Sequence, residues 1–346
     1  MPVSVVVGGQ FGSEGKGKIA LEIVRRETRR ATVVRVGGPN SGHTGYARDG
    51  RRYALRQLPA GCIDRNVDVV FPAGSYIDPQ VLFSEITELE YPTDRIFVSP
   101  YARIITEEHK GWEREAGLVS GIGSTGSGVG AAVMASVARG AGNFELPSPD
   151  AAHFEPLERF ICDTTSLMRK QLDNDQRIVI EGSQGFGLSL LDGGYWPKAT
   201  SRTTTAAGAL AEAGLSPIDV DDVTMVIRSY PIRVAGDSGA LVGETTWENI
   251  AAKADRSDDL REYTTVTNNL RRVGLFDSEL VCRALIHNNP SRLVLNHLDY
   301  VGRQQELSNK GSELAKFVSN VERGIGRKVD WLGFSGLGVV ESAGRV

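Results

Sequence analysis

Only three cysteines occur in the 346 residues, Cys62, Cys162 and Cys282, and none forms a CxxC pair. That scarcity argues against a disulfide framework and a thiolate zinc site, and it suits a reducing cytoplasm. The five histidines are equally scattered, without metal-ligand spacing. No apolar run is long enough to cross a bilayer, and the opening Val3–Val7 stretch follows no basic segment, so it reads as a first strand. A basic block is also missing: the net charge is −4, which speaks against a nucleic-acid or membrane partner. Any phosphate ligand must be met by backbone amides and a few placed cations. Internal repeats and low-complexity tracts are absent too.

Glycine, by contrast, is abundant: 40 residues, many in short clusters, which points to close backbone approach to a ligand. Between the clusters, β-branched runs at Val3–Val7, Thr32–Val36, Val67–Phe71, Arg177–Ile180, Val223–Ile227 and Leu293–Leu295 read as buried strands. Helical patterns occupy Ile19–Thr28, Pro79–Leu89, Pro156–Gln171, Ala206–Ala213, Ser278–Ile286 and Gly311–Val321. This alternation predicts an α/β fold with a large, mostly parallel central sheet and flanking helices. Its ligand loops should lie beyond the carboxyl ends of the strands. Gly140–Asp150 is the nearest thing to a linker and Ala251–Arg261 is a charged stretch. Neither marks a boundary, so residues 1–346 are expected to form a single domain with functional loop insertions.

The first strand runs into Gly8-Gly9-Gln10-Phe11-Gly12-Ser13-Glu14-Gly15-Lys16-Gly17-Lys18 and then a helix. Such a loop is P-loop-like: its amides and the helix N-terminus suit a phosphate, with Lys16 adding charge. It is not a true P-loop, because Gly17 stands where a Mg²⁺-binding Ser or Thr belongs.

The same segment resembles the opening of the adenylosuccinate synthetase family, Gly-x-Gln-Trp-Gly-Asp-Glu-Gly-Lys-Gly-Lys, with Phe11 for the tryptophan and Ser13 for the aspartate. Further blocks follow in family order: Gly37–Thr44, Ile122–Gly130, Glu181–Gly185 with Thr200-Ser201, and more loosely Arg271–Asp277 and Asn296–Asp299. The resemblance implies a ligase that passes a γ-phosphate to O6 of a 6-oxopurine nucleotide, after which aspartate displaces that phosphate at C6. Such chemistry asks mainly for positioning and charge neutralisation.

By resemblance, Gly12, Glu14, Gly15, Lys16, Gly17, Gly42, His43 and Thr44 hold the donor phosphates, and Asn296, Asp299 and Gly336 lie near the donor base. His43 acts beside the bridging oxygen, with Lys16, Gln184 and Ser13 as further catalytic positions. Asn40, Ser124, Thr125, Gln184 and Thr200 contact the acceptor nucleotide. Arg139 reaches the phosphate of a two-fold partner, which implies a homodimer. Thr265, Val266, Thr267 and Arg271 bind aspartate, the last through a guanidinium fork. Mg²⁺ is implied as cofactor, at the positions of Ser13 and Gly42.

Ser13 departs most tellingly. The aspartate it replaces takes the N1 proton, and a hydroxyl is too weak an acid or base to do so. Either the chain is catalytically impaired, or its substrate differs near N1. GMP carries a 2-amino group there, and a short hydroxyl makes room for it and accepts from it. The bacteriophage 2-aminoadenylosuccinate synthetases, a branch with this replacement, use dGMP. The resemblance therefore implies dGMP, L-aspartate and ATP or dATP as substrates. Asn269 agrees, since it stands where the family has an arginine near the ribose and aspartate. Glu14 and a metal-bound water are the candidates for the missing base. An ordinary enzyme acting on IMP with GTP, a nucleotide-binding switch and a catalytically dead homologue are the rivals.

Overall fold

The computed structural model describes residues 2–254, 259–264, 268–334 and 338–342. Its centre is a nine-stranded sheet. In spatial order the strands are Val340–Glu341, Trp331–Leu332, Arg292–Asn296, Val220–Arg228, Val3–Gly8, Ile178–Glu181, Thr32–Arg35, Asp68–Phe71 and Ile96–Val98. Every pairing is parallel except that of the last two strands in the chain, Trp331–Leu332 and Val340–Glu341. The expected α/β architecture is therefore observed.

Period-two alternation assigns each strand's side chains to two layers. Val3, Val5 and Val7 enter one core with Met168, Leu210, Leu280 and Val318. Val6 enters the other, with Ile19, Ile23, Leu82 and Leu89. Ile178 and Ile180 divide from Val179 in the same way. A parallel sheet covered on both faces must be apolar throughout, which is why these strands read as unbroken hydrophobic runs. Each fully buried Val or Ile contributes about 1.5–3 kcal/mol relative to exposure.

All six strands expected from the sequence are present, with ends shifted by a few residues. The expected helix at Pro156–Gln171 is instead a 3₁₀ segment, Glu155–Phe160, followed by the α-helix Thr164–Asp173. Asp163 accepts from the Ser166 amide and starts a new helix, so one continuous periodicity concealed a cap. Sequence reading also passed over the helices Glu107–Glu115 and Val129–Ala138, and the hairpin His43–Tyr46 with Arg52–Leu55. No helix among the described residues is long and apolar enough to cross a membrane.

Candidate active site

The loops leaving the carboxyl ends of Val3–Gly8, Thr32–Arg35, Ile178–Glu181, Val220–Arg228 and Arg292–Asn296 converge on one cavity of about 1180 Å³. That volume exceeds what one small ligand needs and suits several substrates together. Gly12, Ser13, Gly15, Lys16, Gly17, Asn40, Gly42, His43 and Thr44 line it, as do Ser124, Thr125, Gln184, Thr200, Arg271, Asn296 and Asp299. The sequence-expected residues thus meet in one place, with four kinds of exception. Arg139 sits exposed at the carboxyl end of Val129–Ala138, outside the cavity. Thr265, Val266, Thr267 and Gly336 lie outside the described residues. Glu14 turns its carboxylate inward. Asn296 lines the cavity but spends its side chain on holding the first loop.

The first loop is organised around that carboxylate. Glu14 is fully buried and accepts from the Gln10 amide at 3.0 Å, the Gly12 amide at 2.8 Å and Lys16 Nζ at 2.8 Å. A carboxylate with three such partners is engaged in shaping the loop and is not part of the cavity lining, which counts against Glu14 as the base at N1. Asn296 Nδ2 donates to the Glu14 carbonyl at 2.9 Å, and its Oδ1 accepts from Lys18 at 3.4 Å. Burial lowers Lys18 to about 8, the nearby Asp299 opposing that shift. Gly17 has a packing reason: a Cβ there would meet Ala60 Cβ at 2.7 Å and His43 Cβ at 3.1 Å. The Ser or Thr of a true P-loop has no room.

His43 opens the hairpin that packs on this loop. Its Nδ1 bonds Glu181, and Arg35 Nη1 lies 2.9 Å from the ring nitrogens. Glu181 also accepts from the amides of Ala60 at 3.2 Å and Gly61 at 3.4 Å. Burial, then Arg35, push the imidazole down to about 4, so the resting ring is neutral at pH 7. Burial acts to raise Glu181, yet His43 and Arg35 outweigh it and hold the carboxylate below its ordinary value. Sequence reading quoted Glu181 within its block without giving it a role. Arg35, a charge inside a run of β-branched residues, was the available signal for a buried polar group.

On the opposite wall, Ser13 adopts a left-handed backbone, φ 56°. Its carbonyl accepts from Arg228 Nη1 at 2.8 Å and its hydroxyl from Arg271 Nη1 at 2.7 Å. Arg228 pairs with Glu262, which also accepts from Tyr300 at 2.8 Å. Arg233, only 3% exposed, lies with its guanidinium carbon 4.3 Å from the Phe11 ring centroid, and burial lowers it to about 10. Gln184, φ 63°, points Nε2 toward the Asn40 carbonyl at 3.4 Å. Ser124 bonds Glu113 at 3.3 Å and Thr125 bonds Ser127 at 2.8 Å, which fixes the loop ahead of Val129–Ala138. No group of three or more His, Cys, Asp or Glu able to hold a metal occurs among the described residues.

Comparison with known proteins agrees with this construction. A family model described as adenylosuccinate synthetase matches residues 5–146 and 149–309. An adenylosuccinate synthetase from Pyrococcus sp. (strain ST700) is 34% identical over 336 residues, covering 94% of each chain. That of Methanocaldococcus jannaschii is 35% identical over 331 residues, covering 93% of this chain and 91% of its own. Among solved structures, the cyanophage S-2L succinoaminodeoxyadenylate synthetase (PurZ), bound to dGMP and to dATP as an energy donor, superposes with a TM-score of 0.80 at 27% identity. The match covers 98% of this chain and 95% of that one. The fully ligated adenylosuccinate synthetase of Plasmodium falciparum, at 22% identity and a TM-score of 0.83, shares the fold over 99% of this chain and all of its own. The chain belongs to the adenylosuccinate synthetase family and is a carbon–nitrogen ligase of that kind.

Proposed function

We propose that this ligase joins L-aspartate to C6 of dGMP, spending ATP or dATP, and yields 2-amino-2′-deoxyadenylosuccinate. The observation that carries the reading is Ser13: a neutral hydroxyl lines the cavity where a carboxylate is the family pattern. A hydroxyl oxygen has two lone pairs, so Ser13 can accept from Arg271 and still accept from a 2-amino group. A carboxylate there would favour an N1–H with nothing beside it, as in IMP. The cyanophage structure with dGMP and dATP supports the same choice, while the archaeal relatives carry the name of the ordinary enzyme.

In this reading the amides of Gly15 and Gly17 with Lys16 hold the donor phosphates. His43 carries a proton to the bridging oxygen as the γ-phosphoryl group moves to O6, and the proton of N1 passes to a water in the cavity, because neither Ser13 nor the engaged Glu14 takes it. A bound triphosphate raises its proton affinity, and Glu181 stabilises the imidazolium that results. Asn40, Thr125, Gln184 and Thr200 seat the acceptor, and Arg271 takes a carboxylate of aspartate. The aspartate amine then attacks C6, and the C6–O6 bond breaks with phosphate as the leaving group. The Gly42 carbonyl suits Mg²⁺, but Ser13 does not fit it, since its hydroxyl and carbonyl are taken by Arg271 and Arg228; with Glu14 held by Lys16, the other ligands would come from phosphate and water. When bound it supplies charge neutralisation at the transferring phosphate. One domain and a homodimer, with Arg139 crossing to the partner's acceptor phosphate, complete the proposal.

The test compares acceptors at saturating aspartate in the native protein and a Ser13→Asp variant. The native protein turns over dGMP, and the variant shifts toward IMP. Unchanged dGMP use with no IMP activity in the variant contradicts the role given to Ser13.

A further inference from the structure

We infer that Ser13 is also a positioning residue for the amino-acid subsite: its hydroxyl aims Arg271 into the cavity and, being neutral, leaves the guanidinium charge for the substrate carboxylate. The inference rests on the proposed reading of Arg271 as the aspartate ligand and deepens it.

The Arg271 guanidinium has two bonds to the described residues. Nε donates to the Tyr263 carbonyl at 3.1 Å, and Nη1 donates to Ser13 Oγ at 2.7 Å. Both acceptors are neutral. No carboxylate among the described residues forms an ion pair with it, although Glu262 is near enough to act through space. Glu262 itself is engaged by Arg228 and Tyr300. Arg271 lines the cavity with no paired carboxylate among the described residues. A guanidinium in that condition, facing a cavity, is an anion site waiting for its anion.

Ser13 can hold this post because it is itself held. Arg228 Nη1 fixes its carbonyl at 2.8 Å, and the left-handed backbone leaves its side chain on Arg271. Small or Asx residues tolerate that conformation, whereas β-branched ones do not. A carboxylate at position 13 would lie within ion-pair distance of Nη1 and compete directly with the substrate. A second cation would be needed to restore the balance, and Asn269 marks where one fits. The chain is extended there, with Tyr263 bridged to Leu270 and the Arg271 amide bonded to the Glu262 carbonyl at 2.9 Å. Residues 269 and 271 therefore present their side chains on one side.

The experiment measures KM for L-aspartate, and kcat, with both nucleotides saturating, using whichever acceptor the native enzyme turns over. Ser13→Asp and Ser13→Asn have nearly the same shape and both suit the backbone, so their difference isolates charge. Ser13→Asp is expected to raise the aspartate KM at least about tenfold, read at acceptor concentrations that saturate each variant. Ser13→Asn is expected to stay within about threefold of native, because its amide oxygen still accepts from Arg271. Adding Asn269→Arg to Ser13→Asp should recover most of the loss. Equal aspartate KM values for the Asp and Asn variants overturn the inference. An Arg271→Ala variant with native aspartate KM would instead refute the reading of Arg271. Use of IMP in place of dGMP would refute the acceptor assignment and leave this comparison intact.

Discussion

A buried carboxylate, Glu181, stands behind His43, and one guanidinium nitrogen of Arg35 and two amides crowd around the pair. If Glu181 orients the imidazole and stabilises its protonated form, Glu181→Gln should lower kcat about a hundredfold while the donor KM moves little. A thermal melt on the same sample separates this from misfolding, and a kcat within threefold of native would remove the role. His297 provides a second test at the scale of one side chain. It sits at φ 59° against Tyr300, and burial followed by the charge of Arg228 pushes it down to about 3. The unfolded chain, with an ordinary value near 6.5, then binds more protons between roughly pH 3 and 6.5. Folding stability should therefore fall on acidification through that window, by at most about 1.4 kcal/mol per pH unit from this group. His297→Asn, which the left-handed backbone tolerates, should flatten the dependence of the urea midpoint on pH between 6.5 and 5. An unchanged slope would show that His297 is not buried in its neutral form.

Among the elements, the hairpin from His43 to Leu55 and the first helix form a tight joint. Gly17 lies against Ala60 and His43, so Gly17→Ala should cost about 1–3 kcal/mol and displace His43 as well. Both effects are measurable, as a lower Tm and a fall in kcat greater than the stability loss explains. A Tm equal to native would mean the joint is looser than its distances indicate.

The same elements show what the sequence could and could not reveal. Strands buried on both faces announce themselves as apolar runs, and Val3–Gly8 or Ile178–Glu181 needed nothing more. The hairpin was hidden because His43-Thr44-Gly45-Tyr46 mixes polar residues with a glycine. Its stability comes from packing on the first helix, which is a tertiary contact. Val129–Ala138 was hidden by a glycine-rich approach that reads as loop alone. Site residues in glycine blocks were legible by motif. Glu14's inward turn, the Asn296 bond to the first loop and the Ser13–Arg271 contact join residues through loop geometry, which no local pattern encodes.

For the whole molecule, the exposed Arg139, outside the cavity, makes one prediction of the proposed homodimer. Arg139→Ala and His43→Ala variants, each nearly inactive, should recover activity when mixed, because one site of a mixed dimer keeps both a native His43 and a native Arg139. No recovery under conditions that exchange subunits would confine the site to one chain. The central claim, however, concerns the acceptor. Its most direct measurement is a single reaction with equal dGMP and IMP, ATP, Mg²⁺ and L-aspartate, with both products quantified by mass. Their ratio reads relative kcat/KM without further assumption. The account predicts that 2-amino-2′-deoxyadenylosuccinate exceeds adenylosuccinate by at least about a hundredfold, as expected when a polar pocket reads an added amine. A product mixture dominated by adenylosuccinate would contradict it.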